Sequence, residues 1–214
     1  MRLVKRALHF VALMALLVSF SFDFGGCASA QQSAPAGIVG RWRSLGASKG
    51  GIGEVWEFRS DGTVDYSPGA VVEMSWRIED NQLIIPPATV GGAEQKYTLN
   101  WLGDNNLGLE TEGAVTRLAR VGDRSNAGSP IVGEWIESRE MNGRNLEARW
   151  LVYPGSKLLF IMPLAIQHGS YTISGTALQL KIPGLTPEFR FNLADDVLAL
   201  SAPKGGHESH YARY

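Results

Sequence analysis

From Trp42 onward the chain alternates apolar and polar residues with a period of two. Trp56 and Phe58, Trp76 and Ile78, Leu83 and Ile85, then Tyr97, Leu99 and Trp101, and finally Leu107 and Leu109 follow this spacing, which marks strands with one buried face. Turn-forming residues separate the runs at Ser60-Asp61-Gly62, Ser67-Pro68-Gly69, Glu79-Asp80-Asn81, Gly103-Asp104-Asn105-Asn106 and Glu112-Gly113. No stretch beyond residue 30 sustains a helical period. The segment from Gly40 to Arg120 therefore reads as about eight short strands, a number that closes an antiparallel up-and-down barrel and leaves no free sheet edge.

The pattern then occurs a second time. Ile38-Val39-Gly40-Arg41-Trp42 returns as Ile131-Val132-Gly133-Glu134-Trp135, 93 residues on, and Leu118-Ala119-Arg120 returns as Tyr211-Ala212-Arg213 at the same spacing. Between them the offset drifts to 95 at Trp76 and Tyr171 and then recovers, as loop insertions and deletions do to a duplicated unit. The expected fold class is all-β, with two tandem small antiparallel barrels at residues 38–121 and 131–214. A polar, turn-rich linker at 122–130 joins them, and residues 31–37 form a flexible lead-in.

Residues 1–30 read as an address. Arg2, Lys5 and Arg6 precede an apolar stretch from Ala7 to Phe22, and Ala28-Ser29-Ala30 offers a signal-peptidase site. The chain is expected to be exported, to the periplasm or the extracellular space. The one cysteine, Cys27, follows Gly25-Gly26, so lipid attachment there and membrane anchoring stand as the alternative to cleavage after Ala30. With one cysteine, no disulfide can staple the exported chain. The part from Gln31 carries 17 basic and 20 acidic side chains. It has no basic stripe of the kind that displaces counterions from nucleic acid.

A Gly-x-Trp opening the first strand, meandering strands with tight turns, and an Arg near the end of the last strand resemble the lipocalin-like (calycin) pattern, once in each copy. The resemblance implies that Trp42 stacks with Arg120 and Trp135 with Arg213 across the closed end of each barrel, a structural rather than a ligand-binding role. A guanidinium over an indole gains cation–π energy of about 0.5–2 kcal/mol, and its fork can bond loop carbonyls. Each copy is about half the length of a full lipocalin, and eight strands leave room for side chains or one small ligand.

Copy one is crowded with Trp56, Trp76, Trp101, Tyr97 and Phe58, whereas copy two is thinner in large aromatics. The ligand-lining candidates are accordingly Glu147, Arg149, Tyr171, Phe189 and Phe191. Arg149 takes the place of Trp56 and Glu147 lies two residues earlier, so strict alternation points both inward, as a pair that would orient a polar head group. A bulge would instead leave both in water and turn Trp150 inward, since an isolated buried ion is costly.

Catalytic constellations are sparse. His207-x-x-His210 with Glu208 resembles a fragment of a metal site, but zinc wants three or four ordered ligands; neither metal nor cofactor is expected. No Gly-x-Ser-x-Gly elbow or phosphate loop occurs. The expected function is non-enzymatic binding of a small apolar or amphipathic ligand in the cell envelope. The alternative is a protein-interaction module with filled barrels.

Overall fold

The computed structural model describes residues 37–47, 51–87, 92–123, 128–141, 143–184, 186–203 and 205–214. The leader, Cys27 and residues 31–36 of the lead-in lie outside them. Among the described residues the regular structure is sixteen antiparallel strands and no helix, hence no helix long and apolar enough to cross a membrane.

The first repeat supplies β1 (Gly40–Ser44), β2 (Ile52–Phe58), β3 (Thr63–Ser75), β4 (Arg77–Glu79), β5 (Gln82–Ile85), β6 (Gln95–Trp101), β7 (Asn106–Thr111) and β8 (Ala114–Val121). The second supplies β9 (Gly133–Met141), β10 (Arg144–Tyr153), β11 (Lys157–Pro163), β12 (Gln167–Ser174), β13 (Ala177–Lys181), β14 (Glu188–Ala194), β15 (Val197–Ser201) and β16 (Glu208–Arg213). Two-residue turns with positive φ at both positions occur at Asp80-Asn81, Glu112-Gly113 and Asp195-Asp196. This geometry matches the twist of the strands that such turns join.

Eight of these strands close into a barrel, consistent with a lipocalin-like fold, and they come from both repeats. β1, β2 and the first half of β3 pair in order; β3 then pairs with β12, and β12 to β16 follow until β16 returns to β1. The expectation of one barrel within each copy is thereby corrected. β8 does not return to β1 but pairs with β9, with Arg120 opposite Trp135.

The cause lies in β3. Its thirteen residues include Ser67-Pro68-Gly69, which reads as a turn in the sequence but runs straight in the structure. Up to Tyr66 the outer neighbour of β3 is β12, with Gln167 opposite Tyr66; from Gly69 onward it is β11, with Pro163 opposite Gly69. Pro68 occupies the gap between these partners, where the missing N–H is not called upon, and its carbonyl accepts a bond from the Leu164 N–H at 2.9 Å. A Cβ on Gly69 would collide with the Met162 carbonyl, so glycine permits the close approach of β11. Because β3 does not double back here, its first half stays with β2 and β12 while its second half crosses to the other strands.

From β3 the remaining strands continue in the order β11, β10, β9, β8, β7, β6, β5, β4. β4 follows β3 after one residue, Trp76, whose backbone N–H bonds Ser156 O at 2.9 Å and whose indole N–H faces Tyr153 O and Lys157 O at 3.2 and 3.0 Å. Two cores result. One lies inside the barrel around Trp42, Phe58, Val64, Leu178, Leu180 and Leu198; the other packs Leu83, Leu107, Leu109, Trp135, Trp150 and Leu158. A smaller cluster of Leu151, Leu159 and Ile161 with Val55, Val71, Tyr153 and Tyr214 joins the outer faces of β2 and β3 to those of β10 and β11.

Both tryptophan–arginine stacks form, with partners exchanged relative to the pairing within each copy. Arg213 lies 4.3 Å from the Trp42 ring centre, and Arg120 lies 4.0 Å from that of Trp135. Arg213 donates to Val39 O and Gly37 O at 2.8 and 2.7 Å; Arg120 donates to Val132 O and Pro130 O at 3.0 and 2.5 Å. Each indole N–H bonds the carbonyl four residues earlier, Ile38 O and Ile131 O, both at 2.8 Å. The glycine of the motif is needed twice over: Gly40 and Gly133 have φ of 136° and 139°, and a Cβ on either would strike the arginine Nη1.

Arg41 and Glu134 occupy the same position in the two repeats, and in the structure they meet. Arg41 grips the Glu134 carboxylate through both Nη atoms at 2.7 and 2.8 Å, and Arg149 reaches the same carboxylate. Identical residues at this position would set like beside like; opposite charges make a bidentate pair. The Arg41 hydrogen bonds, outweighing partial burial, hold Glu134 below the usual carboxylate range.

Two tests follow from these contacts. Arg213→Ala removes one cation–π contact and two hydrogen bonds and is expected to cost about 1–3 kcal/mol in denaturant unfolding; an unchanged midpoint would contradict the stack's role. A depressed carboxylate stabilises the fold above its unfolded-state value and stops doing so as pH falls through its lower folded-state value. Wild-type stability should therefore decline with acid below about pH 4.3, and Glu134→Gln should flatten that decline in pH-dependent melting curves.

Candidate functional site

Inside the barrel, away from the Trp42–Arg213 stack, the lining changes from aliphatic to polar. In β2 the alternation that buries Trp56 and Phe58 places Glu54 on the same inward face. Glu54 accepts hydrogen bonds from the Tyr66 hydroxyl of β3 at 3.2 Å and the Tyr211 hydroxyl of β16 at 2.6 Å. The Glu54 backbone N–H bonds Ser44 Oγ at 2.9 Å, which ties the group to the end of β1. The Trp56 ring lies 4.4 Å from that of Tyr66, tilted by 38°. Burial, reinforced by the Glu54 carboxylate, pushes the Tyr66 hydroxyl up to about 12, and the same causes raise Tyr211 well above the ordinary tyrosine value.

Trp56 is 4% exposed, and its Nε1, sealed from solvent, makes no hydrogen bond of good geometry among the described residues; its polar neighbour is the Tyr211 hydroxyl, which it meets weakly. The other half of the chain answers the same need differently. Trp150 stands opposite Trp135 as Trp56 stands opposite Trp42, and its Nε1 donates to buried Glu137 at 2.9 Å. Glu137 pairs with Leu118 in β8 as Ser44 pairs with Tyr211 in β16. Thus where one half has Tyr211 and an indole N–H that meets it weakly, the other has Leu118 and a capped indole.

Apolar side chains lie around the Glu54 end of the barrel. Leu45 follows β1, Ile52 opens β2 and Ile166 precedes β12; they are 52, 43 and 53% exposed. Of these, Ile52 lies on the face of β2 that carries Glu54 and Trp56, whereas Leu45, in register with His210, and Ile166, in phase with His168, lie on the other face of their strands.

The register correspondence of Trp56 with Trp150 decides the geometry of the candidates in copy two. Buried Ala148, Trp150 and Val152 share one face of β10, while Glu147 is exposed and Arg149 half-buried on the other face. The internal Glu147–Arg149 pair does not form; Arg149 turns outward to Glu134. Tyr171 is buried in the barrel core, with its hydroxyl donating to Arg59 O at 2.7 Å. Phe189 and Phe191 pack partly buried against the same core. Tyr171 and both phenylalanines thus share the interior with Glu54, and Glu147 and Arg149 do not.

His207 and His210 are exposed; His210 Nε2 lies 3.2 Å from Glu208. His168, also exposed, bonds Asp65 at 2.7 Å. Among the described residues no three His, Cys, Asp or Glu side chains converge as a metal site. Among the described residues, concavities on the outer surface include one of about 450 Å³ lined by Leu102, Asn106, Arg117, Ala119, Ile136 and Ser138 among others, and one of about 330 Å³ lined by Trp101, Gly103, Asp104 and Pro130.

Glu54→Gln keeps an acceptor for one tyrosine and removes the charge that helps to hold Tyr66 and Tyr211 neutral. Both phenols should then ionise at lower pH than in the wild type, read as tyrosinate absorbance during an alkaline titration. A superimposable titration would contradict the coupling of Glu54 to the two phenols.

No protein-family model matches the chain, and no curated protein or solved structure matches it either.

Proposed function

We propose that the protein is an exported, non-enzymatic binder of a small amphipathic molecule, and that the Glu54 end of the closed barrel is the binding site. The observation that carries this reading is the contrast between equivalent positions: the Trp150 indole is capped by Glu137, whereas the Trp56 indole, without such a cap, is buried beside Glu54, Tyr66 and Tyr211. Glu54 offers a charged anchor for a head group, and Ile52 on the same face of β2 offers exposed apolar surface for the rest of the molecule. With Trp42, Phe58, Leu178, Leu180 and Leu198 filling the interior, the site takes a head group at the barrel end rather than a whole ligand in a deep calyx. Export follows from the leader.

The same reading makes the chain a tandem lipocalin-like protein whose modules have exchanged strands. The run from β11 to β4, which returns to β3 through Trp76, is the counterpart of the barrel, sealed where the barrel is polar. This is supported by the second Gly-x-Trp and arginine stack and by the matching registers around Trp42 and Trp135.

The outer concavities favour a second reading as an interaction module. Trp101 and Leu102 beside them are 38 and 55% exposed, an apolar surface of the kind found at protein interfaces.

Native mass spectrometry of the mature chain, purified without detergent, tests the first reading. Wild type is expected to carry excess mass that leaves on denaturation, and Tyr66→Ala is expected to lose it. A bare wild-type chain in repeated preparations would contradict ligand binding and favour the interaction module. A covalent increment at Cys27 would identify the anchored form.

A further inference from the structure

We infer that the head group taken at the Glu54 end is a protonated amine, an inference that rests on the binding site proposed above. A carboxylate offers about four acceptor positions, of which Tyr66 and Tyr211 use two. Among the described residues no Lys, Arg or His forms an ion pair with Glu54, although the other partly buried carboxylates Asp65, Glu134 and Glu137 each have an arginine. A carboxylate withdrawn from water without a cation of its own is unfavourable. Here its neighbours are donors and aromatic rings.

Those surroundings suit an ammonium group. Glu54 supplies both hydrogen bonds and the opposite charge, beside the Trp56 and Tyr66 rings, which pack against each other at 4.4 Å. An anionic head would meet Glu54 at short range and be repelled. The hydrocarbon part would lie over Ile52, exposed on the same face of β2. The expected ligand class is therefore an amphipathic amine, and the simplest probe of the charge requirement is an alkylamine.

Isothermal titration calorimetry of the mature chain with dodecylammonium, dodecanol and dodecanoate, each below its micellar concentration, tests this. Dodecylammonium should bind about tenfold or more tightly than either of the others, the discrimination expected of a charge-assisted hydrogen bond. In Glu54→Gln, confirmed as folded by its melting curve, the advantage of dodecylammonium over dodecanol should disappear. Should that variant fail to fold, the wild type is titrated at rising salt: the advantage of dodecylammonium over dodecanol should shrink, and a preference independent of salt would overturn the charge assignment. Equal binding of all three probes, or a preference for dodecanoate, would overturn the charge assignment and leave the binding site standing. Absence of binding by any probe would overturn both.

Discussion

The passage of β3 straight through Ser67-Pro68-Gly69 is the constraint on which the rest of the structure depends. Had the chain turned there, β3 would have doubled back onto strands of its own repeat. Because it continues, β1, β2 and the first half of β3 need partners from elsewhere, and β12 to β16 supply them. Pro68 tolerates this because it falls where β3 changes neighbour, and Gly69 because a side chain there would strike β11. Exchange of strands between equivalent units is a low-cost rearrangement, since each strand finds a partner of the same pattern. The exchanged stacks, Trp42 with Arg213 and Trp135 with Arg120, express that equivalence at the level of single side chains.

Exchange also places the two repeats under different demands. Arg41 and Glu134, which match in sequence, meet in space as a salt bridge. Interior positions differ: Trp150 is sealed by Glu137, whereas Trp56 lies beside a carboxylate and two phenols. The two halves thereby differ at equivalent strand positions, one with an indole capped by a carboxylate and the other with a carboxylate held by two phenols.

Much of this was legible in the sequence. The alternation of Trp56 and Phe58 and of Leu107 and Leu109 marks strands that do bury those side chains, and Asp80-Asn81 and Glu112-Gly113 form the tight turns that their composition implies. The partner of each strand was not legible, because two repeats with the same pattern satisfy pairing within a copy or between copies equally well. Pro68 between serine and glycine carries a turn signal in isolation, and only the tertiary environment converts it to a strand. Because β10 is offset from β2 by 94 residues rather than the 93 of the flanking motifs, strict alternation fails for Arg149, and the alternative with Trp150 inward holds. Glu54 is readable as inward-facing from its even spacing with Trp56 and Phe58, but its phenol partners come from β3 and β16 and leave no local signature.

The most direct measurement is the oligomeric state and folding of a chain ending at Val121, which retains all the strands of the first repeat and none of the second. Without β12 to β16 the open edges of the β1–β2–β3 sheet have no partners in the same molecule other than β4 to β8, which in the full chain join β9 through β8. Size-exclusion chromatography and circular dichroism should find it unfolded as a monomer, or folded only as a two-chain species that exchanges strands. A stable folded monomer would contradict the account, since it would mean that β3 turns back at Pro68 and that each repeat closes upon itself.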